Sequence, residues 1–305
     1  MNIEDIKTVL IVGSGTMGQQ IGFQCAVSGF DVIMYDIAEE MLATAAGRLE
    51  KLAKNYKAGG RLTGETAAAA RGRITMTTDP RKAGANADFV SESVPEDPKL
   101  KAKVFAQFNE ICPAHAIFTT NTSSLIPSMI AAQTGRPERF AAFHFHDVRV
   151  TRIVDIMPHP GTSPEVTALI EAFALKIGQI PIMLKKENFG YVFNAMIMEL
   201  FKSAQALAAN GVASVEDIDR AWMGVMHTPT GPFGIMDSIG IDTVWKVTDY
   251  WAKIVKDPQQ TKNAAFMKPY VDQGFLGEKT GRGFYAHPHP AYAAPDFVTG
   301  VPGGK

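Results

Sequence analysis

The chain has 305 residues, 46% of them hydrophobic and 20% charged, with a formal net charge of −1. That length exceeds what a single hydrophobic core usually serves, so two domains are expected. The near-zero charge argues against nucleic acid as the main partner, and no apolar run reaches membrane-spanning length. Cys25 and Cys112 are the only cysteines and read as buried free thiols, which suits a reducing cytosol. The opening Met1-Asn2-Ile3-Glu4-Asp5 lacks the basic and apolar regions of a secretory signal, so a soluble, cytoplasmic protein is expected.

Val9 to Val12 reads as a buried strand that breaks into Gly13-Ser14-Gly15-Thr16-Met17-Gly18, a G-x-G-x-x-G spacing. Gly13 makes the tight turn, Gly15 lets backbone approach a pyrophosphate, and Gly18 lets the helix from Gln19 to Ser28 pack on the strand. The turn through Thr16 and Met17 and the helix N-terminus offer unpaired N–H groups to phosphates. A second strand, Asp31 to Tyr35, ends at Asp36, whose carboxylate can accept hydrogen bonds from a ribose diol and would repel a 2′-phosphate. Ile37 to Glu40 supply no arginine to neutralise such a phosphate. The order strand, glycines, helix, strand, acid predicts a bound dinucleotide, NAD rather than NADP.

From Glu40 to Arg73 an alanine-rich stretch broken at Gly59-Gly60 predicts two long helices forming a projecting hairpin. Strand patterns resume at Ile74 to Met76, Phe89-Val90, Ile117 to Thr119 and Arg139 to Phe145, with a helix at Pro98 to Glu110. A helix from Pro164 to Ile177 leads to a strand at Ile180 to Leu184. This alternation predicts an α/β fold with a Rossmann-type, doubly wound and mainly parallel sheet carrying the hairpin as an insertion. From Asn188 onward helices dominate: Phe189 to Ala209, Val215 to Gly224 and Met236 to Val255. The expected domains are therefore 1–186 and an all-helical 187–305, with a weakly ordered Pro/Ala/Gly tail from about His287. The helical half is rich in apolar side chains such as Phe193, Met196, Met198, Phe201 and Trp222, which predicts a homodimer.

Ligands of open α/β sheets bind outside the carboxyl ends of the strands. Three segments should end there: Val94 to Asp97 with nearby Lys101, Thr120 to Ser124, and Phe143 to Asp147. Oxidation of an alcohol needs a base for the hydroxyl proton, and an imidazole such as His144 suits that task. A neutral histidine needs a fixed tautomer, and Asp155, a carboxylate inside the apolar run Ile153 to Ile156, is the candidate orienter. His146 is the rival base. Strand alternation puts it on the same face, two residues further along.

These motifs, with Asn121-Thr122-Ser123-Ser124-Leu125, Gly231-Pro232-Phe233 and Lys279-Thr280-Gly281-Arg282-Gly283-Phe284-Tyr285, resemble the L-3-hydroxyacyl-CoA dehydrogenase family across nearly all of residues 6 to 285. The resemblance implies a Rossmann domain followed by a helical dimerisation domain, with NAD and a 3-hydroxyacyl thioester meeting in a cleft between them. It implies that His144 is the base and that Ser123 and Asn194 lie near the reacting oxygen. It also implies that Glu96, Lys101, Asn121 and Lys279 line the cofactor. Where the family usually has His-Phe-Phe-Asn-Pro, this chain has His144-Phe145-His146-Asp147-Val148, and Asp155 stands where the family prefers Glu. Lys51, Lys54, Lys57 and Arg61 could form a cationic stripe for CoA, Lys54 foremost, while the positions matching the family's usual CoA contacts are Arg48 and Asn55. Two other readings remain open at this point. One is a dehydrogenase of a free hydroxy acid, of the gulonate or carnitine kind, with Arg149 and Arg152 pairing a substrate carboxylate. The other is a non-catalytic, crystallin-like NAD-binding protein. No metal is expected.

Overall fold

The computed structural model describes residues 1–299. It divides into two compact units, one ending at Asn194 and the other beginning at Ala195. The first is built on an eight-stranded sheet. Its strands are β1 (Thr8–Val12), β2 (Asp31–Tyr35), β3 (Ile74–Thr77), β4 (Phe89–Glu92), β5 (Ile117–Thr120), β6 (Phe140–Phe145), β7 (Ile153–Pro158) and β8 (Ile180–Met183). They lie in the order β3-β2-β1-β4-β5-β6-β7-β8. All neighbours are parallel except β6 and β7, which are antiparallel. The order reverses between β1 and β4, which is the switch point of a doubly wound sheet.

Helices α1 (Thr16–Val27), α2 (Glu39–Ala58), α3 (Gly64–Gly72), α4 (Pro80–Gly84), α5 (Pro98–Asn109) and α6 (Pro164–Lys176) join these strands. Buried strand residues feed two cores. One gathers Val9, Ile11, Phe89, Phe143 and Phe173; the other gathers Leu10, Val90, Phe105, Phe118 and Phe140. Alternate residues of β1 thus point into different cores, so the sheet is covered on both faces and its strands read as continuous apolar runs. The expected hairpin is formed by α2 and α3, but it does not project. Leu49, Leu52 and Tyr56 of α2 and Ala70 of α3 belong to the same core as Phe23 of α1, whose ring meets Tyr56 edge to face at 5.8 Å.

The second unit is helical, with α7 (Phe193–Ala209) running into it, followed by α8 (Val215–Met226), α9 (Pro232–Ile239), α10 (Ile241–Val255) and α11 (Pro258–Asp272). Three sequence expectations need correction here. The helix expected from Phe189 starts at Phe193, because Gly190 and Tyr191 both adopt positive φ in a turn. The helix expected over Met236 to Val255 is two, split at Gly240 with φ 105°, a conformation closed to most residues. Helix α11 was not anticipated; its polar, weakly periodic sequence, with Pro269 inside, hides it.

Two buried carboxylates fasten the turn that follows α11. Asp237 accepts hydrogen bonds from Phe284 N, Tyr285 N and His287 Nε2, each at 2.9 Å. Asp219 accepts from Phe233 N at 2.8 Å and from Gly234 N and Tyr285 Oη at 2.9 Å. Burial pushes the Asp219 carboxyl above the usual range, against the pull of those donors. Beyond this lock Phe297 is buried, its carbonyl accepts from Arg220 Nε at 2.8 Å, and the Arg220 guanidinium sits over its ring, while most residues of the Pro/Ala/Gly stretch around it are exposed. The rest of the expected loose tail, 300–305, lies outside the described residues.

Candidate active site

The glycine turn has the shape a dinucleotide needs. Gly13 has φ +99°, and a Cβ there would lie 2.7 Å from the Ser93 carbonyl oxygen. A Cβ on Gly18 would lie 1.9 Å from the Gly13 carbonyl oxygen, so only glycine lets α1 start this close to the turn. Gly15 caps α1, and a Cβ added to it would meet nothing within 4 Å. The first residue closes the turn, the last packs the helix, and the middle one leaves open space beside free N–H groups, which fits a pyrophosphate. Thr16 and Met17 form the first turn of α1. At the end of β2, Asp36 Oδ2 accepts from both Ser14 N and Ser14 Oγ at 2.8 Å, which holds its carboxylate against the turn. Ile37 beside it is 84% exposed, an apolar side chain open to a flat ligand.

The three segments expected at the carboxyl ends of β4, β5 and β6 are there, on neighbouring parallel strands. They are wired together through Glu96, whose Oε1 accepts from Thr122 Oγ1, from Ser123 N and Ser124 N at 3.0 Å, and from Ser124 Oγ at 2.8 Å. Ser123 keeps an exposed side chain at the rim of this turn. Asn121 Oδ1 accepts from Phe145 N at 2.8 Å, tying the end of β5 to the residue after His144. Lys101 lies beneath, 1% exposed, its Nζ 2.7 Å from Glu92 Oε1 and 3.3 Å from Glu96 Oε2. The sequence reading missed Glu92. Its signal was a glutamate closing the apolar strand Phe89-Val90-Ser91-Glu92, a place where a charge needs a partner such as the lysine nine residues on.

Burial pushes the Glu96 carboxyl up, but donors from Thr122 and Ser124 and the Lys101 charge more than offset it, so the net direction is down. A carboxyl lowered on folding stabilises the fold above the ordinary carboxylate range, and that contribution is lost as pH falls through the lowered value. Below about pH 4 the melting temperature of the wild type should therefore fall more steeply than that of Glu96→Gln. Calorimetry across acid pH reads this, and parallel curves would remove Glu96 from the role.

Register, not sequence proximity, makes the central pair. In the antiparallel β6–β7 ladder His144 stands directly opposite Asp155, so both side chains rise on one face. His144 Nδ1 is 3.0 Å from Asp155 Oδ2, and His146 Nε2 reaches the same oxygen at 3.2 Å. Burial opposes charge on Asp155, yet the two imidazole hydrogen bonds prevail and hold its carboxyl below the usual range. An ionised carboxylate only accepts, so both ring nitrogens facing it carry protons. When the ring is neutral, that leaves the His144 lone pair on Nε2. That is the tautomer of a general base. Tyr191 covers its ring at 4.8 Å, and Phe193 meets the His146 ring at 5.6 Å.

The divergent loop after β6 is anchored to two helices. Val148 N donates to Gln20 Oε1 of α1 at 2.9 Å, and Tyr56 Oη of α2 donates to Val148 O at 3.4 Å. Arg149 is forked onto Asp147, with Nε 2.8 Å from Oδ1 and 3.1 Å from Oδ2. That engagement occupies the guanidinium considered for a substrate carboxylate, while Arg152 is exposed. Lys54 is exposed on α2 and, with Lys57 and Arg71, lines a shallow groove between α2 and α3. Asn194 occupies the first turn of α7. Lys279 belongs to the second unit, where its Nζ pairs with Asp242.

Residues 8–188 match the family described as 3-hydroxyacyl-CoA dehydrogenase, NAD binding domain, and residues 190–287 match its C-terminal domain. A probable 3-hydroxybutyryl-CoA dehydrogenase of Bacillus subtilis is 33% identical over 92% of this chain and 97% of its own length. Among solved structures, a diketoreductase characterised in the catalysis of dicarbonyl compounds matches at 39% identity and a TM-score of 0.87, covering 92% of this chain and 99% of its own. The (S)-3-hydroxybutyryl-CoA dehydrogenase of Ralstonia eutropha matches at 34% identity and a TM-score of 0.80, covering 93% and 100%. The chain belongs to the 3-hydroxyacyl-CoA dehydrogenase family and is an NAD-dependent oxidoreductase.

Proposed function

We propose that the chain interconverts an L-3-hydroxyacyl-CoA and the 3-oxoacyl-CoA, with His144 as the base. The observation that carries this is the His144–Asp155 pair, held in ladder register with Nδ1 on the carboxylate, on a strand whose neighbour β5 leads into Thr122-Ser123. NAD, when bound, supplies the acceptor for the hydride. The Gly13–Gly18 turn would hold its phosphates and Asp36 its ribose, with Asn121, Glu96 and Lys101 shaping the floor. In the oxidation the substrate hydroxyl gives its proton to His144 Nε2, and Asp155 stabilises the imidazolium that forms. Ser123 and Asn194 would hydrogen-bond the reacting oxygen. Lys54 and its cationic neighbours on α2 suit the phosphates of CoA.

A second reading, reduction of a dicarbonyl compound that is not a thioester, draws support from the 39% identity to the diketoreductase and from the departures at His146 and Asp147. A third, a free hydroxy acid bound through Arg149, is weakened because Asp147 already holds that guanidinium. Loss of NADH absorbance distinguishes them. Turnover with acetoacetyl-CoA but not with free acetoacetate or a non-thioester diketone is the expected result, and the reverse pattern overturns the proposal. Self-association through the helical unit is supported by exposed Met196, Val225, Met226, Tyr250 and Ile254, and sedimentation at micromolar concentration reads it.

A further inference from the structure

One carboxylate oxygen, Asp155 Oδ2, receives two imidazoles, and the second of them sits where the family's motif has phenylalanine. Orienting a base takes one imidazole on its acceptor, so His146 is left over. One ring nitrogen of each histidine and a carboxylate oxygen of Asp155 lie within 4.8 Å of one another. Their two shortest separations are 3.0 and 3.2 Å. A tetrahedral site with bonds of about 2.0 to 2.1 Å has ligand edges of roughly 3.3 Å, so two edges are nearly in place. The third edge is set by the turn of the His146 ring, the more exposed of the two. Asp155 is 1% exposed and the His146 side chain 17% exposed, which puts the carboxylate at the closed end and leaves the His146 side open to a water as fourth ligand. Tyr191 and Phe193 wall the two rings with apolar surface.

We propose that His144, His146 and Asp155 form a binding site for a borderline divalent cation, zinc foremost, and that its occupancy switches the enzyme off. Two nitrogens and one oxygen favour such an ion over magnesium or calcium, which take oxygen ligands. The switch rests on the reading of His144 as the base. Zinc takes the lone pairs of Nδ1 of His144 and Nε2 of His146, each ring being neutral. Each ring exchanges the proton on its ligating nitrogen, through solvent, for one on its other nitrogen. His144 then carries its proton on Nε2, the atom that must accept the substrate's proton. The metal-bound ring has no lone pair there.

Calorimetric titration of zinc chloride into the metal-free protein should show one tight site per chain. His146→Phe restores the residue usual in the motif and removes one ligand. Its zinc affinity should fall by more than the roughly 10- to 100-fold that loss of an outer-shell partner costs. In crystals soaked with zinc, anomalous scattering should place the ion among the three side chains of the wild type, a readout independent of how the variant folds. Equal zinc affinity in wild type and His146→Phe, or an ion found only elsewhere, overturns the site. Zinc bound at the three residues with NADH turnover unaffected at saturation would leave the site standing and overturn the base assignment instead.

Discussion

His144→Ala should lose on the order of 10² to 10⁴ in kcat while NADH affinity stays close to wild type. The loss corresponds to about 3 to 5 kcal/mol of barrier. It falls on the chemical step because the imidazole is aimed by Asp155 on the neighbouring strand, whereas the glycine turn and Asp36 follow the ends of β1 and β2. Asp155→Asn should lose somewhat less. Its amide oxygen can still accept one N–H, but the charge that stabilises the imidazolium is gone, and two rings then compete for one neutral acceptor. His146→Ala and Asp147→Asn complete the set. Asp147 is turned onto Arg149 rather than onto His144, so Asp147→Asn should be tolerated. Near-wild-type kcat in His144→Ala together with collapse in His146→Ala would move the chemistry to His146.

Gly18→Ala should abolish tight cofactor binding and lower the melting temperature. The new Cβ would meet the Gly13 carbonyl oxygen at 1.9 Å, and both are backbone-anchored, so neither can step aside as a flexible side chain could. Relief requires α1 to lift from β1. That costs about 1 to 3 kcal/mol of packing and displaces the N–H groups that face the phosphates. Gly15→Ala is the matched control, because a Cβ there meets no protein atom within 4 Å. Its melting temperature should be unchanged while NADH affinity drops, since the added methyl fills only the space the pyrophosphate would use. Fluorescence titration with NADH and thermal melting separate the two effects. Wild-type affinity in Gly18→Ala would mean that this turn is not the cofactor cradle.

How much of this was legible in the sequence depended on whether the governing interaction was local. The glycine turn, the acid after β2 and the three strand-end segments are each encoded within a few residues, and all sit where the sequence placed them. The His144–Asp155 pairing was inferred from the expense of a bare carboxylate among apolar residues, but not its geometry. Ile153 to Pro158 is buried on both faces, so it shows no alternation that would mark a strand running antiparallel to its neighbour. His146 reaching the same carboxylate oxygen followed from that unseen register. Lys101 is drawn inward by Glu92, a partner visible only once β4 and α5 are packed. The break at Gly240 was lost because the apolar periodicity of α9 runs straight on into α10 and masks one left-handed residue.

The ladder between β6 and β7 has an evolutionary corollary. Base and orienter stand opposite each other on adjacent strands, so backbone hydrogen bonds fix their separation, and the six residues from Asp147 to Arg152 have no part in it. Residues can be inserted, deleted or exchanged in that connection without disturbing the proton-handling pair. The same connection rests on α1 through Gln20 and on α2 through Tyr56, the helix that also carries Lys54. Acceptance of new substrates can therefore drift by loop change alone, while the reaction performed on them is inherited intact.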